Sequence, residues 1–213
     1  MNLEIWYDLV CPWCYLGKRR LEAVLLDFPG DVSMTFRAYQ LDPEPVGAPL
    51  PLERAMIAKV GDPRRVGQML AHVTTVVRGA GLPLEYNRAV AANTFDAHRL
   101  VAWAAAQELQ LTMIETLQRA HFADGADLGS HAQLARLAGE IGLDERAALA
   151  YLAGPAGTDA VNADLAEARE LGITSVPTFV VDRRYVVQGA QEPAALRSAL
   201  EEIARREAVD ATR

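Results

Sequence analysis

The chain has 213 residues, 51% hydrophobic and 23% charged, with a formal net charge of −7. That composition excludes a disordered chain, and basic residues scattered among acids exclude the electrostatic footprint of a nucleic-acid binder. The longest uncharged apolar runs, such as 100–106, fall far short of the ~20 residues that cross a bilayer, so no membrane partner is expected.

The first eight residues lack a basic stretch followed by a long apolar one, so a cytoplasmic protein is expected. Leu3, Ile5 and Tyr7 alternate with Glu4, Trp6 and Asp8, the period-2 pattern of a strand. From Pro12 the period becomes helical, with Leu21, Val24, Leu25 and Phe28 on one face, until Pro29-Gly30 stops it. Alternation returns over 32–38, which predicts a second strand and an opening βαβ unit.

Prolines at 43, 45, 49 and 51 then fix an extended linker over 41–51. Beyond it the periodicity predicts helices over 63–78, 93–109, 111–123, 130–141, 144–152 and 158–171, with no β pattern for more than a hundred residues. Val176 to Val181 reads as a strand, Tyr185 to Gln188 as its hairpin partner, and 193–206 as a closing helix. The order βαβ, helices, ββα predicts an α/β, thioredoxin-like fold with a large all-helical insertion between its halves. The expected division is 1–42 plus 172–213 for the thioredoxin-like domain and 43–171 for the inserted helical domain.

The two cysteines, Cys11 and Cys14, straddle Pro12-Trp13 where the first strand meets the first helix. Dithiol exchange needs a thiolate that a substrate can reach, and first-turn amides with the helix dipole favour the anion of Cys11. Pro12 fits the first helical position, where its missing N–H is no loss. Cys14, one turn on, is placed to attack a mixed disulfide on Cys11, and is expected to be the more buried sulfur.

Other uses of the pair fit less well. Zinc needs two further ligands, and His72, His98, His121 and His131 lack the usual spacing, so no metal is expected. Haem attachment needs a histidine at 15, where Tyr15 stands. A buried structural pair does not require the strand, proline and helix around it. Val176-Pro177 opens the third strand of the predicted fold; a cis bond there would face the dithiol and turn a backbone edge toward an extended substrate.

The stretches from Asp8 to Lys18, Gln40 to Pro43, Asn93 to Leu100, Gly172 to Phe179, and Gly189-Ala190-Gln191 together resemble the FrnE-like branch of the DsbA superfamily, almost end to end. The resemblance implies a dithiol–disulfide oxidoreductase or isomerase acting on protein or peptide thiols and disulfides. It implies no bound cofactor, with glutathione or a thioredoxin system as redox partner. It makes Cys11 the nucleophile, Cys14 the resolving thiol and Pro177 a cis-proline, with Pro12, Trp13 and Val176 shaping the site. Asn93 and His98 lie on a helix that in relatives covers the active-site region, either as substrate contacts or as a helix cap and a hydrogen bond in the seam. His121 departs from relatives, which tend to carry an aromatic there.

Two other functions remain open at this point. Kappa-class glutathione transferases and 2-hydroxychromene-2-carboxylate isomerases share the scaffold but typically carry serine at the nucleophile position and lack the pair. A peptide-binding or chaperone module would use the helical groove and leave the cysteines as bystanders.

Overall fold

Strand β1 (Asn2–Tyr7) is the inner strand of a four-stranded sheet whose order, once β2 (Ser33–Ala38), β5 (Thr178–Val181) and β6 (Tyr185–Gln188) are in place, is β2-β1-β5-β6. This computed structural model describes residues 1–47 and 49–210; Ala48 of the predicted linker and the tail 211–213 lie outside it. β1 pairs in parallel with β2, bringing Ile5 opposite Phe36, and antiparallel with β5, bringing Ile5 opposite Phe179. An inner strand has both faces covered, which is why Glu4, Trp6 and Asp8 are buried along with Leu3, Ile5 and Tyr7.

Helix α1 (Pro12–Leu25) supplies the crossover between the parallel strands β1 and β2, with Cys11 extended at its N-cap and Pro12 in the first turn. It packs against α9 (Pro193–Asp210), and Arg197 donates to the Val24 carbonyl at 3.1 Å.

Between β2 and β5 lies the helical insertion. It comprises α2 (Leu52–Val60), α3 (Pro63–Gly79), α4 (Phe95–Ala105), α5 (Gln110–Arg119), α6 (His131–Glu140), α7 (Glu145–Ala153) and α8 (Thr158–Glu170). A π-helical turn, Ala120–Asp124, extends α5.

Three expectations change. The insertion is not all-helical, because β3 (Leu50–Pro51) pairs antiparallel with β4 (Val90–Ala91); a two-residue ladder is too short to leave a period in the sequence. In the stretch after the linker, α2 forms on Leu52, Met56 and Ile57, which are only half-buried; nine residues give two apolar rows too short to stand out as a period. The predicted helix over 93–109 is shorter at both ends, since Thr94 is the N-cap and Ala106 the C-cap.

The insertion is fastened to the sheet by ions as well as apolar contacts. Asp164 of α8 accepts from Arg37 at 3.1 Å and from the Ala38 amide at 2.9 Å, and its carbonyl accepts from the Trp6 indole at 3.4 Å. Glu115 of α5 accepts from Lys18 at 2.5 Å, Arg19 at 3.2 Å and the Tyr15 hydroxyl at 3.3 Å, clamping the helix that carries both cysteines. Lys18 is 5% exposed, a burial that a lysine tolerates only when its charge is answered, here by Glu115 and Glu22.

Candidate active site

Cys11 occupies the N-cap of α1 with φ −89° and ψ 112°, and its side chain makes no capping bond. Cys11 therefore stands at the positive end of the helix. The Cys14 and Tyr15 amides close the turn onto the Cys11 carbonyl at 3.0 and 3.1 Å. Both cysteines are free thiols.

Cys11 and Cys14 are equally covered, at 3% exposure each, so the expectation of an open Cys11 beside a buried Cys14 is corrected. The cover comes from the neighbouring strand entry: the Cys11 Sγ donates to the Val176 carbonyl at 3.7 Å. The Val176–Pro177 peptide bond is cis, and Pro177 sits against α1. That approach depends on Gly17, because a Cβ there would lie 2.8 Å from Cγ of Pro177. No sequence pattern marks Gly17 as anything but a weak helix former; only its neighbour across the fold explains it.

Burial governs the second sulfur. Burial pushes the Cys14 thiol well above the ordinary thiol range, and its hydrogen bond to Cys11 and the charge there push the same way. Cys14 therefore stays protonated until something takes its proton. The buried carboxyl of Asp8 acts on it electrostatically, and the Asp8 carbonyl accepts from the Cys11 amide at 3.2 Å.

Asp8 is 0% exposed. Its Oδ2 accepts from the Leu41 amide at 2.8 Å, and its Oδ1 lies 3.3 Å from Nε2 of His98. The same Nε2 is 3.0 Å from the Tyr39 carbonyl, which can only accept, so Nε2 carries a proton. Asp8 stood in the motif around the dithiol but was not singled out; its burial comes from 33 and 90 residues away.

His98 is buried, and its ring is held in this seam between Asp8 and the Tyr39 carbonyl. Asn93 is half-buried. Its Oδ1 accepts from the Phe95 amide at 2.9 Å and Gln40 at 3.0 Å, and its Nδ2 donates to the Pro43 carbonyl at 2.8 Å. It ties the linker to the start of α4 and lines a cleft of about 350 Å³ with Pro45, Val46, Asp96 and Asp127, none of which belongs to the dithiol site.

Trp13 is half-buried, its ring tilted against His72 at 6.0 Å, and Pro12 is half-buried beside it. Tyr86 packs on the same apolar cluster as Trp13 and Leu16. Burial pushes its phenol above the ordinary range and the charge of Cys11 adds to this, so its hydroxyl lies within electrostatic reach of the sulfur. Sequence reading missed Tyr86, which sits in a loop with no motif.

A family model described as the DSBA-like thioredoxin domain matches residues 2–201. Among solved structures, the chain is similar to a probable DsbA oxidoreductase from Streptomyces coelicolor, with 35% identity, 95% of this chain and 89% of that one covered, and a TM-score of 0.89. It is also similar to the cytosolic disulfide reductase DsbM from Pseudomonas aeruginosa, at 22% identity over 96% and 99% of the two chains and a TM-score of 0.63. A 2-hydroxychromene-2-carboxylate isomerase aligns at 19% identity over 98% of each chain with a TM-score of 0.69. The last two likenesses show the fold alone. No curated protein matches the chain.

Proposed function

The chain belongs to the DSBA-like thioredoxin domain family of thiol–disulfide oxidoreductases, and on that premise we propose that it exchanges disulfides with protein or peptide substrates through Cys11 as nucleophile and Cys14 as resolving thiol. The observation that carries this reading is the dithiol at the start of α1, with Cys11 on the helix N-cap beside the Val176 carbonyl and Cys14 buried one turn on, its thiol pushed upward by that burial. A substrate disulfide is attacked by the Cys11 thiolate and one substrate thiol leaves. Cys14 then attacks the mixed disulfide, the second thiol leaves, and Cys11–Cys14 is oxidised.

Because Cys11 is covered, substrate entry displaces its contact with the Val176 carbonyl. That carbonyl and its strand edge, with Pro177, then pair with the extended substrate, and half-buried Trp13 borders the path. Asp8 is the proton acceptor for Cys14 in this reading. No bound cofactor is required, since the dithiol itself carries the two electrons.

The reading extends to the FrnE-like branch, to glutathione or a thioredoxin system as redox partner, and to a cytoplasmic setting; one neighbour, DsbM, was solved with glutathione. It also keeps 1–42 plus 172–213 as the redox domain and 43–171 as the domain that closes over it. In a cytosolic glutathione pool, a dithiol about 100 mV more oxidising than the pool would stand almost wholly reduced, which favours reduction or isomerisation over oxidation.

A redox titration of the dithiol against glutathione, coupled to insulin reduction and reactivation of scrambled ribonuclease, tests this. Activity that disappears in Cys11→Ser, with a trapped mixed disulfide in Cys14→Ser, is the expected result. Glutathione conjugation or isomerisation that survives Cys14→Ser, without insulin reduction, would replace it with the transferase reading. Client holding indifferent to loss of both thiols would replace it with the chaperone reading.

A further inference from the structure

Helix α3 is seventeen residues long, yet it buries only Val66 and Val77. Arg65, Met69, His72 and Val76 follow one another at intervals of four, three and four, so they form a single row along one face of the helix. The row begins beside the dithiol. Val76 packs half-buried on the cluster that holds Tyr15 and Leu16 and touches Trp13, and the His72 ring lies 6.0 Å from the ring of Trp13, the residue between Pro12 and Cys14. Farther out, Met69 is 43% exposed and Arg65 is exposed as well.

The outer end of the row is positively charged. Arg64 and Arg65 are both exposed, and neither side chain has a hydrogen bond or an ion pair among the described residues. Asp62 caps the helix by accepting from their two amides at 2.9 and 3.2 Å, so this turn carries two guanidinium groups against one carboxylate. The arginines on α1 are answered instead: Arg19 by Glu115 at 3.2 Å and Arg20 by Glu192 at 2.6 Å. In a chain of net charge −7, the start of α3 is therefore a local excess of uncommitted positive charge.

The spacing converts this into a substrate pattern. Seven helical residues separate Arg65 from His72, about 10 Å along the axis. An extended peptide covers that length in about three residues. A client whose cysteine reaches Cys11 past Trp13 thus brings a side chain about three to five positions away onto the two arginines, with an intervening one over Met69.

We propose that this row of α3 is a docking track for protein substrates that carry an acidic residue about three to five positions from the reactive cysteine, with an apolar residue between. The inference rests on the dithiol reading above and names the substrate class of that site. Arg64, Arg65 and Met69 set specificity and take no part in the bond exchange. In that exchange the Cys11 thiolate bonds to the client sulfur, the client disulfide breaks, and the displaced sulfur leaves with the electron pair as a thiolate.

The test uses the full reduced chain and short peptides whose single cysteine is joined in a disulfide to thionitrobenzoate. Attack by Cys11 on the peptide sulfur releases the coloured thionitrobenzoate anion. The peptides carry Asp about three to five positions before or after the cysteine, or Asn or Lys in its place. On one side of the cysteine, the Asp peptide should react at least about fivefold faster than the Asn peptide, and the Lys peptide slower still. Salt at about 1 M should remove most of the difference. Arg64→Ala together with Arg65→Ala should bring the Asp-to-Asn ratio within about twofold of unity. Arg65→Glu, which suits the first turn of a helix and so does not threaten the fold, should turn the preference toward Lys. Arg146→Ala, an equally exposed site on α7, should leave the ratio as it was. A ratio near unity in the unaltered protein, or a preference that survives loss of both arginines, overturns the proposal. A dimer in sedimentation that Arg65→Glu dissociates overturns it in favour of a second copy of the chain on this row. Release that persists in Cys11→Ser overturns the dithiol reading instead.

Discussion

Glu4 and Asp8 stand four residues apart along the same inner strand and its exit, at 3% and 0% exposure, but their surroundings give them opposite characters. Glu4 is gripped by two guanidinium groups: Arg37 reaches it at 2.6 and 3.1 Å and Arg183 at 2.9 Å. Arg37 continues to Asp164 and Arg183 to Glu167, so the charge is one link in a chain joining the sheet to α8. Burial pushes the Glu4 carboxyl upward, but the two arginines outweigh it and hold the group below the ordinary carboxylate range. Asp8 instead meets an amide and an imidazole. A carboxylate fixed between guanidinium groups serves the fold; one whose partner is an imidazole that can itself move a proton suits a site where protons are exchanged.

The comparison is broken most directly at Asp8. Asp8→Asn should slow the resolving step by about 10²-fold or more, the range expected for loss of a positioned base, while denaturant stability changes by no more than about 1 kcal/mol. Stopped-flow release from an aromatic disulfide and urea unfolding measure the two effects on one sample. Equal loss in both would make Asp8 structural, like Glu4.

Glu4→Gln should do the reverse. It leaves Arg37 and Arg183 without their shared carboxylate and should lower stability by about 1.5–3 kcal/mol, with both exchange steps unchanged. A fall in exchange rate without a fall in unfolding midpoint would erase the contrast.

Gly17→Ala probes the fold between them. Its new methyl meets Pro177, a crowding that should cost about 1–2 kcal/mol. By shifting the Val176 carbonyl it should alter Cys11 alkylation as well, which Glu4→Gln should not do. Unchanged alkylation would show that the proline gives way without moving the strand entry.

The smallest effect is in pH. The folded carboxyl of Glu4 is depressed, so its contribution is fully present above the unfolded glutamate value and is lost as pH falls through the folded one. Unfolding midpoints measured from neutral to acid pH should therefore decline less steeply in Glu4→Gln than in the unaltered chain. Parallel curves would remove Glu4 from the acid response.

Much of the fold was legible because it is written locally. The alternation over β1 and β2, the Pro12 start of α1, the hairpin of β5 and β6 and the helical periods of α3 and α5 to α9 all follow from a side chain's direction relative to its near neighbours. Where an element is short the reading failed, as at nine-residue α2 and the two-residue ladder of β3 and β4. At the candidate site the cysteine spacing at a strand–helix junction pointed to the two sulfurs, and the place of Val176-Pro177 in the element order pointed to a cis bond, which the structure contains.

The dithiol, its place at a helix start and the split order of elements were all readable along the chain, since each depends on residues within a turn or two of one another. It took the folded chain to reveal that Cys11 is covered by a carbonyl 165 residues away, that His98 answers Asp8 across 90 residues, and that Gly17 leaves room for Pro177. Such pairings are set by how the helical block and the sheet pack together. Separations that long leave no periodic trace in the chain, because nothing about one partner constrains the residues beside the other until the fold has closed.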